Sequence, residues 1–324
     1  MWRLNTLVDK AKLYPNLQRI NKETLFESII QKVKKIENSE IKSFLSDDKI
    51  IELLISKPKE LYEQKDKLTG IFFDNGKLKI LWSEKNKNKT VKDLFNYKSF
   101  ISSNKNISFQ IAKLIGTNTC VYCNRQYTLT VDKKNPVCRP DFDHYLSQNE
   151  CPFFALSLYN LIPSCTICNS RVKGKNKLNP NMNPYLNSMY NNFFKFSYVP
   201  DGKGQPVEVK IQDINPDTKN EITETDINDF LECFKIKEVY DAHTEYELRD
   251  LYTFATKYSD AYLQNLMIQI GKDFKISKEE TYRLLFGTEL FENKCNNRPL
   301  SKFKRDILEE LGVIKHSGDK NDKF

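Results

Sequence analysis

Two Cys-x-x-Cys pairs in the centre of the chain constrain its fold more than any other feature of the sequence. Cys120 is paired with Cys123 and Cys165 with Cys168, with roughly 40 residues between the pairs. Each pair can place two thiolates on one tight turn, and four thiolates complete the tetrahedral shell of a structural zinc ion. The interval is longer than in a zinc ribbon, so we expect a segment inserted between two zinc knuckles. A redox pair is the alternative for either pair alone, whereas two pairs in one segment favour zinc.

The rest of the sequence is that of a long, reduced chain and not of a disulfide scaffold. It has 324 residues, with 51 lysines and arginines, 43 acidic residues and eight cysteines. The N-terminus shows no apolar leader segment, and charges interrupt every apolar stretch well short of the roughly 18 residues that span a bilayer. We therefore expect a soluble, cytoplasmic protein with no membrane partner, in which paired cysteines bind metal. The four remaining cysteines are predicted to be packed thiols: Cys138, Cys151, Cys233 and Cys295.

The pattern of apolar residues predicts an α+β protein with mostly helical flanks. Residues 1–115 form a mainly helical region, in which one helix face recurs at three- and four-residue steps: Phe26, Ile29, Ile30, Val33 and Ile36. The turn signal Asp74-Asn75-Gly76 predicts a β-hairpin at 67–82 within that region.

The composition changes after residue 115, and further elements follow in order. Residues 116–185 hold six of the eight cysteines, and we expect strands at 127–131 and 137–143 there. A β-hairpin is predicted at 186–215, a helical region at 216–314 and a flexible tail at 315–324. The acidic stretch 213–232 is interpreted as a solvated linker or as a surface that faces a basic partner.

Groups suited to phosphodiester chemistry surround the second cysteine pair. Asp141–His144 supplies two carboxylates and an imidazole between the pairs, and Asn160 and Asn169 lie on either side of Cys165. An imidazole can take a proton from an attacking water, while carboxylate and amide oxygens are ligands that Mg²⁺ prefers. Taken singly, a histidine or asparagine is more often a packed or turn residue.

These residues carry a specific resemblance. Asp-Phe-Asp-His, followed by Tyr-Asn-Leu-Ile-Pro-Ser-Cys-x-x-Cys-Asn-x-x-x-Lys-Gly, resembles the HNH endonuclease superfamily in its zinc-stapled form, over roughly residues 117–185. The resemblance implies a central ββα-metal core with structural Zn²⁺ and a catalytic Mg²⁺ or Mn²⁺. It implies that His144 is the general base, that Asp143 and Asn169 bind the catalytic metal, that Asn160 orients the loop of His144 and that Lys173 contacts phosphate.

Two details accompany the resemblance. Asn169 stands where HNH enzymes often have a third histidine, and Asp141 shares a strand face with Asp143 and is an outer-shell candidate. Four bases after the second cysteine pair are predicted to bind nucleic acid, and two of them are alternatives to Lys173 for phosphate contact: Arg171, Lys173, Lys175 and Lys177.

The implied function is that of a metal-dependent endonuclease, with DNA favoured over RNA. Bacterial HNH proteins with large helical flanks resemble the nuclease subunits of restriction and anti-phage systems, some of which work with an ATPase. This chain has no P-loop motif, so the ATPase would be a separate partner. The alternatives are an effector that cleaves tRNA or other RNA and a non-catalytic zinc module that binds nucleic acid. A zinc deaminase is excluded for two reasons. His144 is followed by Tyr145 and Leu146 and so does not begin an H-x-E pattern, and Ser164 separates Pro163 from Cys165 where a P-C-x-x-C pattern is needed.

Overall fold

The computed structural model describes residues 11–18, 23–132, 135–186, 193–258, 260–289 and 291–314. The protein is α+β, with helices as the main element and four two-stranded antiparallel sheets among the described residues. The predicted tail at 315–324 lies outside the described residues.

Six α-helices form most of the N-terminal region in the part of the chain that the structure describes. Capping explains several of their starts: Thr24 forms a capping box with Glu27, Ser46 accepts from the backbone of Lys49, and Pro58 occupies a first-turn position that needs no donor. The predicted face is confirmed, because Ile29, Val33 and Ile36 are buried and Phe26 and Ile30 are half-buried. The helices are α1 Leu25–Val33, α2 Ser39–Phe44, α3 Asp47–Ile55, α4 Pro58–Phe72, α5 Val91–Leu94 and α6 Lys105–Ile115.

The hairpin predicted at 67–82 is shorter in the structure. Its turn lies at Asn75 and Gly76 as expected, between β1 Phe73–Asp74 and β2 Lys77–Leu78. The prediction is wrong for 67–72, which belong to α4, because Leu68 and Phe72 continue the buried face of that helix. A second hairpin, of β3 Trp82–Glu84 and β4 Lys87–Lys89, turns at Lys85 and Asn86, both with positive φ.

The central region consists of a hairpin followed by a helical segment. Strand β5 Asp141–His144 pairs antiparallel with β6 Leu161–Ser164, and a wide helical segment, Ile167–Lys173, follows. The prediction of a strand at 127–131 is wrong. This segment forms isolated bridges instead, which join Thr119 to Tyr127 and Val131 to Cys138. Its alternate apolar side chains are exposed and so gain nothing from a sheet face.

The hairpin predicted within 186–215 is present, and helices follow it. Strands β7 Lys195–Pro200 and β8 Pro206–Gln212 form it, and Phe196 packs on Phe303 with ring centroids 5.4 Å apart. The linker interpretation of 213–232 is wrong for its second half, where Ile227 and Phe230 are buried on a helix. The C-terminal α-helices are α7 Glu224–Cys233, α8 Ile236–Asp241, α9 Arg249–Lys257, α10 Asp260–Phe274, α11 Lys278–Phe286 and α12 Ser301–Glu310.

One hydrophobic core joins all three regions. Phe72 of α4 stacks on Phe153 with centroids 5.9 Å apart, and Tyr122 stacks on Phe234 at 4.3 Å. The buried hydroxyl of Tyr14 also donates to the carbonyl of Leu156. The helical flanks are therefore packed against the central hairpin and help to position it. Among the helices in the described part of the chain, none is both long and apolar enough to cross a bilayer.

Candidate functional site

The four paired cysteines form one buried cluster. Their sulfur atoms all lie within 4.8 Å of one another, and the Sγ atoms of Cys123 and Cys165 are 4.0 Å apart. Tetrahedral Zn–S bonds of about 2.3 Å place neighbouring sulfurs about 3.8 Å apart, so the cluster has the dimensions of a zinc site. The donor set is all sulfur and closed to solvent, which is typical of structural zinc.

Local backbone geometry supports metal-binding knuckles. The amide of Arg125 donates to Cys123 Sγ and the amide of Cys168 donates to Cys165 Sγ, each over 3.4 Å. Hydrogen bonds from the other three thiols lower the pKa of Cys165, whereas burial raises the pKa of Cys120. Four thiolates this close repel one another, so a cation is what allows all four to ionise.

The cluster reaches the candidate catalytic residues through Tyr122, which lies inside the first cysteine pair. The hydroxyl of Tyr122 donates to Asp143 Oδ2 over 2.6 Å. Burial, followed by the nearby charge of Asp143, raises the pKa of Tyr122 well above its usual value, so the hydroxyl remains a donor. The turn of the first cysteine pair therefore fixes one partner of Asp143.

Asp143 is buried and paired with Lys173. The ammonium of Lys173 is 2.8 Å from Asp143 Oδ2 and 3.1 Å from Oδ1, and it also donates to the carbonyl of His144 over 3.1 Å. Asp143 and Lys173 expose only 5% and 4% of their surface. The structure thus brings these two predicted residues together, and it separates Lys173 from the exposed bases with which the sequence grouped it.

His144 ends strand β5, and its ring is held from two sides. Its Nε2 lies 3.0 Å from the carbonyl oxygen of Ala155, and its ring meets Tyr97 edge-on with centroids 4.5 Å apart. Because a carbonyl can only accept, Nε2 carries the proton and Nδ1 is the basic nitrogen of the neutral ring. Burial lowers the pKa of His144, so the imidazole is neutral at neutral pH.

Asn160 is fully buried and fixes the loop that follows His144. Its Oδ1 accepts from the amide of Leu146 over 2.7 Å, and its Nδ2 donates to the carbonyls of Leu146 and Phe154, each over 3.0 Å. These bonds join the two ends of the 146–154 segment, next to the Ala155 carbonyl that contacts His144. This placement agrees with a role in orienting the histidine loop.

The remaining predicted residues lie on the helical segment Ile167–Lys173 and just after it. Asn169 is half-buried one residue after the cysteine cluster, and Asp141 is half-buried at the start of β5. Arg171, Lys175 and Lys177 are exposed, and Lys177 pairs with Glu150 over 2.9 Å.

A cleft of about 480 Å³ lies beside the exposed bases. Arg171 and Lys177 line one side, and Asp229 and Glu232 of helix α7 line another. Acidic residues of the stretch 213–232 therefore line the same cleft as the basic segment.

Tyr97 and Tyr122 are site residues that were not among the sequence-based candidates. Tyr97 contacts His144 from the N-terminal region, and burial raises its pKa to about 12, with a further contribution from Asp141 and Asp143 that Arg139 opposes. No local motif marks Tyr97. Burial of Tyr122 could have been predicted from the sequence, because it lies between Cys120 and Cys123 and its ring enters the core with them.

Of the other cysteines, Cys233 lines the cleft beside Arg171 and Lys177. Cys151 and Cys295 are buried as predicted and Cys233 is half-buried, whereas the prediction of a packed thiol is wrong for Cys138, which is exposed on the inserted segment. His243 is half-buried in the C-terminal region, and His316 lies outside the described residues.

Comparison of the chain with protein-family models, curated proteins and solved structures found no match.

Proposed function

We propose that this protein is an HNH-type endonuclease that hydrolyses phosphodiester bonds with His144 as general base. One observation carries the proposal: the imidazole of His144, with Nε2 3.0 Å from the Ala155 carbonyl oxygen, ends strand β5 of a hairpin that a buried four-cysteine cluster ties to the following helical segment. A general base needs a fixed ring and an unprotonated nitrogen at neutral pH, and His144 has both.

The surrounding residues support this role by positioning. The carbonyl of Ala155 and the edge of Tyr97 restrict the His144 ring, and Asn160 fixes the intervening loop. The Nδ1 atom of His144 would accept a proton from a water that attacks phosphorus. Preorganisation of this kind reduces the entropic cost of bringing water and base together.

The oxygen donors that Asp143 and Asn169 carry are of the kind that Mg²⁺ or Mn²⁺ takes. A divalent ion bound there would supply charge stabilisation at the phosphate. Asp143 and Asn169 would hold it, with Asp141 as an outer neighbour on the same strand. The zinc ion assigned to the cysteines would have a structural role only.

Nucleic acid is the substrate that the exposed bases favour. Arg171 lies on the helical segment of the site and Lys175 follows it. Both contribute positive charge where a phosphate backbone would approach. Contacts of this type carry little base specificity, so target choice requires a partner or the helical flanks. We propose DNA as the substrate, and a role in anti-phage defence together with a separate ATPase, in line with the motif resemblance.

The test is a cleavage panel with a matched histidine control. Zinc-loaded wild type, His144→Ala and His243→Ala are incubated with plasmid, linear DNA, single-stranded DNA and total tRNA, each in Mg²⁺, Mn²⁺ or EDTA. We expect cleavage by wild type and His243→Ala, and none by His144→Ala, with unchanged zinc content. Full activity of His144→Ala would contradict the assignment, and cleavage confined to tRNA would indicate an RNA-directed enzyme.

A non-catalytic zinc module that binds nucleic acid is the second candidate. The exposed bases beside a structural zinc site favour it. Tight binding without cleavage, under each divalent ion and for every nucleic acid of the panel, would support this alternative.

A further inference from the structure

We propose that the Lys173 ammonium acts as an internal cation. It occupies the Asp143 carboxylate and prevents divalent ions from binding there until the ammonium is displaced. The inference rests on the proposed function, because it concerns the carboxylate to which that function assigns a divalent ion. It adds a control over ion entry that the motif alone does not contain.

The hydrogen bonds of Asp143 leave little room for a second cation. Oδ2 accepts from the Tyr122 hydroxyl and from Lys173, and Oδ1 accepts from Lys173. The ammonium thus lies within 3.1 Å of both oxygens of the carboxylate. Its third contact, to the carbonyl of His144, holds it at the end of strand β5.

Burial makes this pairing exclusive. Asp143 and Lys173 are both more than nine-tenths buried, so bulk water screens neither charge. A divalent ion on the same carboxylate would lie next to the ammonium, and two cations at that separation repel strongly where the local dielectric is low. The carboxylate therefore binds either the ammonium or the ion.

The ammonium has a route of departure. Lys173 is the last residue of the helical segment, and Gly174 follows with φ +52°, a conformation that favours glycine. Residues 174–177 are exposed, so rotation of the flexible lysine stem can carry its charge to solvent. There it would join Arg171 and Lys175, where a phosphate group offers a new partner.

The test measures Mn²⁺ affinity, with free Mn²⁺ followed by electron paramagnetic resonance, on zinc-loaded full-length protein. Lys173→Gln removes the charge and keeps a donor for Asp143, and Lys173→Met is a second neutral replacement. Lys173→Arg keeps the charge, and Lys175→Gln removes the same charge from an exposed position two residues away.

We expect the neutral Lys173 variants to bind Mn²⁺ at least about tenfold more tightly than wild type, and the other two variants to stay within about twofold. Adding Asp143→Asn should abolish the gain. Equal or weaker Mn²⁺ binding in a folded neutral variant would overturn the inference, and zinc content with circular dichroism identifies which variants are folded.

This readout separates the inference from the proposed function. A tighter Mn²⁺ site at Asp143 without cleavage of any nucleic acid would leave the cation competition standing and refute the nuclease. Cleavage that depends on His144, together with unchanged Mn²⁺ affinity in the Lys173 variants, would support the nuclease and refute the cation competition.

Discussion

The buried hydroxyl of Tyr240 donates to the backbone carbonyl of Cys123 over 2.7 Å, which joins helix α8 to the first cysteine knuckle, residues 120–123. Two neighbouring bonds strengthen the connection: Arg125 Nη1 donates to the carbonyl of Val239 over 2.9 Å, and the amide of Leu300 donates to the carbonyl of Asn124 over 2.7 Å. The knuckle is thus held by the C-terminal helices as well as by its own sulfurs.

Loss of zinc should therefore destabilise the C-terminal helices along with the central region. Cys165→Ala removes one of four sulfur ligands from the buried cluster and should abolish stoichiometric zinc binding. We expect a loss of several kcal/mol in the free energy of unfolding, since structural zinc contributes roughly 10 kcal/mol or more in small domains. Metal analysis and denaturant unfolding provide the measurement.

Cys138→Ala is the matched control for that experiment. Its thiol is exposed and is not part of the cluster, so zinc content and stability should both remain at wild-type values. An unchanged unfolding midpoint in Cys165→Ala would show that the cysteines do not support the fold through zinc.

Tyr240→Phe should weaken the fold without removing zinc. The substitution keeps the ring but leaves the Cys123 carbonyl without this buried donor, at a cost of about 1–3 kcal/mol. Denaturant titration measures the loss, and Tyr246→Phe, at a tyrosine that is 72% exposed, is the comparison. Equal stability of the two variants would mean that the Tyr240 bond adds nothing to the fold.

Asn160 should be needed for both stability and cleavage. Asn160→Ala removes the partner of the partly buried Leu146 amide and of the Leu146 and Phe154 carbonyls, at roughly 1–3 kcal/mol for each group left buried and unsatisfied. Asn160→Asp keeps the acceptor for Leu146 but replaces the two donated bonds by repulsion. If the loop positions His144, both variants should lose cleavage at temperatures where they are still folded, as judged by circular dichroism. Normal rates in the folded variants would separate this loop from catalysis.

The cysteine cluster could be predicted from local sequence, whereas the burial of Lys173 could not. The paired spacing of Cys120 and Cys123 restricts both thiols to one turn, so the sequence alone indicates a metal site. Arg171, Lys173 and Lys175 are equivalent in a linear reading, and only packing against strand β5 selects Lys173 for burial.

Long-range contacts set the other limit of prediction. Tyr97 reaches His144 from a part of the chain far away in sequence, and nothing near it distinguishes it from the other 15 tyrosines. Helix α4 likewise extends through residue 72, where Phe72 is buried against Phe153, so the hairpin at the Asn75-Gly76 turn is shorter than predicted. Both outcomes depend on tertiary packing, which local patterns do not encode.

The exposed bases should set the salt dependence of nucleic-acid binding. Arg171→Ala and Lys175→Ala should each weaken binding at all sequences and reduce the slope of log K against log salt by about 1, if each side chain contacts one phosphate. Lys203→Ala, on the turn between β7 and β8, is the charge-matched control. Fluorescence anisotropy at several salt concentrations measures the slopes, and a common slope for all three variants would place the binding surface elsewhere.

The pH dependence of cleavage should report the burial of His144. Burial lowers its pKa below the ordinary value of 6.5, and the general base acts in its neutral form. The rate should therefore stay on its plateau as pH falls past 6.5 and decline only at lower pH. The same shift lowers the free energy of unfolding at acidic pH. As pH falls, His144 takes up a proton in the unfolded chain before it does so in the folded protein, so this residue favours unfolding progressively below pH 6.5.

Tyr97 provides the matched pair of variants for this last prediction. Tyr97→Phe keeps the ring that covers His144, and Tyr97→Leu opens the imidazole to water. The acidic limb of kcat/KM, and the ring titration of His144 followed by NMR, should shift toward higher pH in Tyr97→Leu and stay near wild type in Tyr97→Phe. The direction follows because hydration favours the charged imidazolium and so raises the pKa. A wild-type limb above pH 6.5, or one that moves equally in both variants, would show that burial by this ring does not set the protonation of His144.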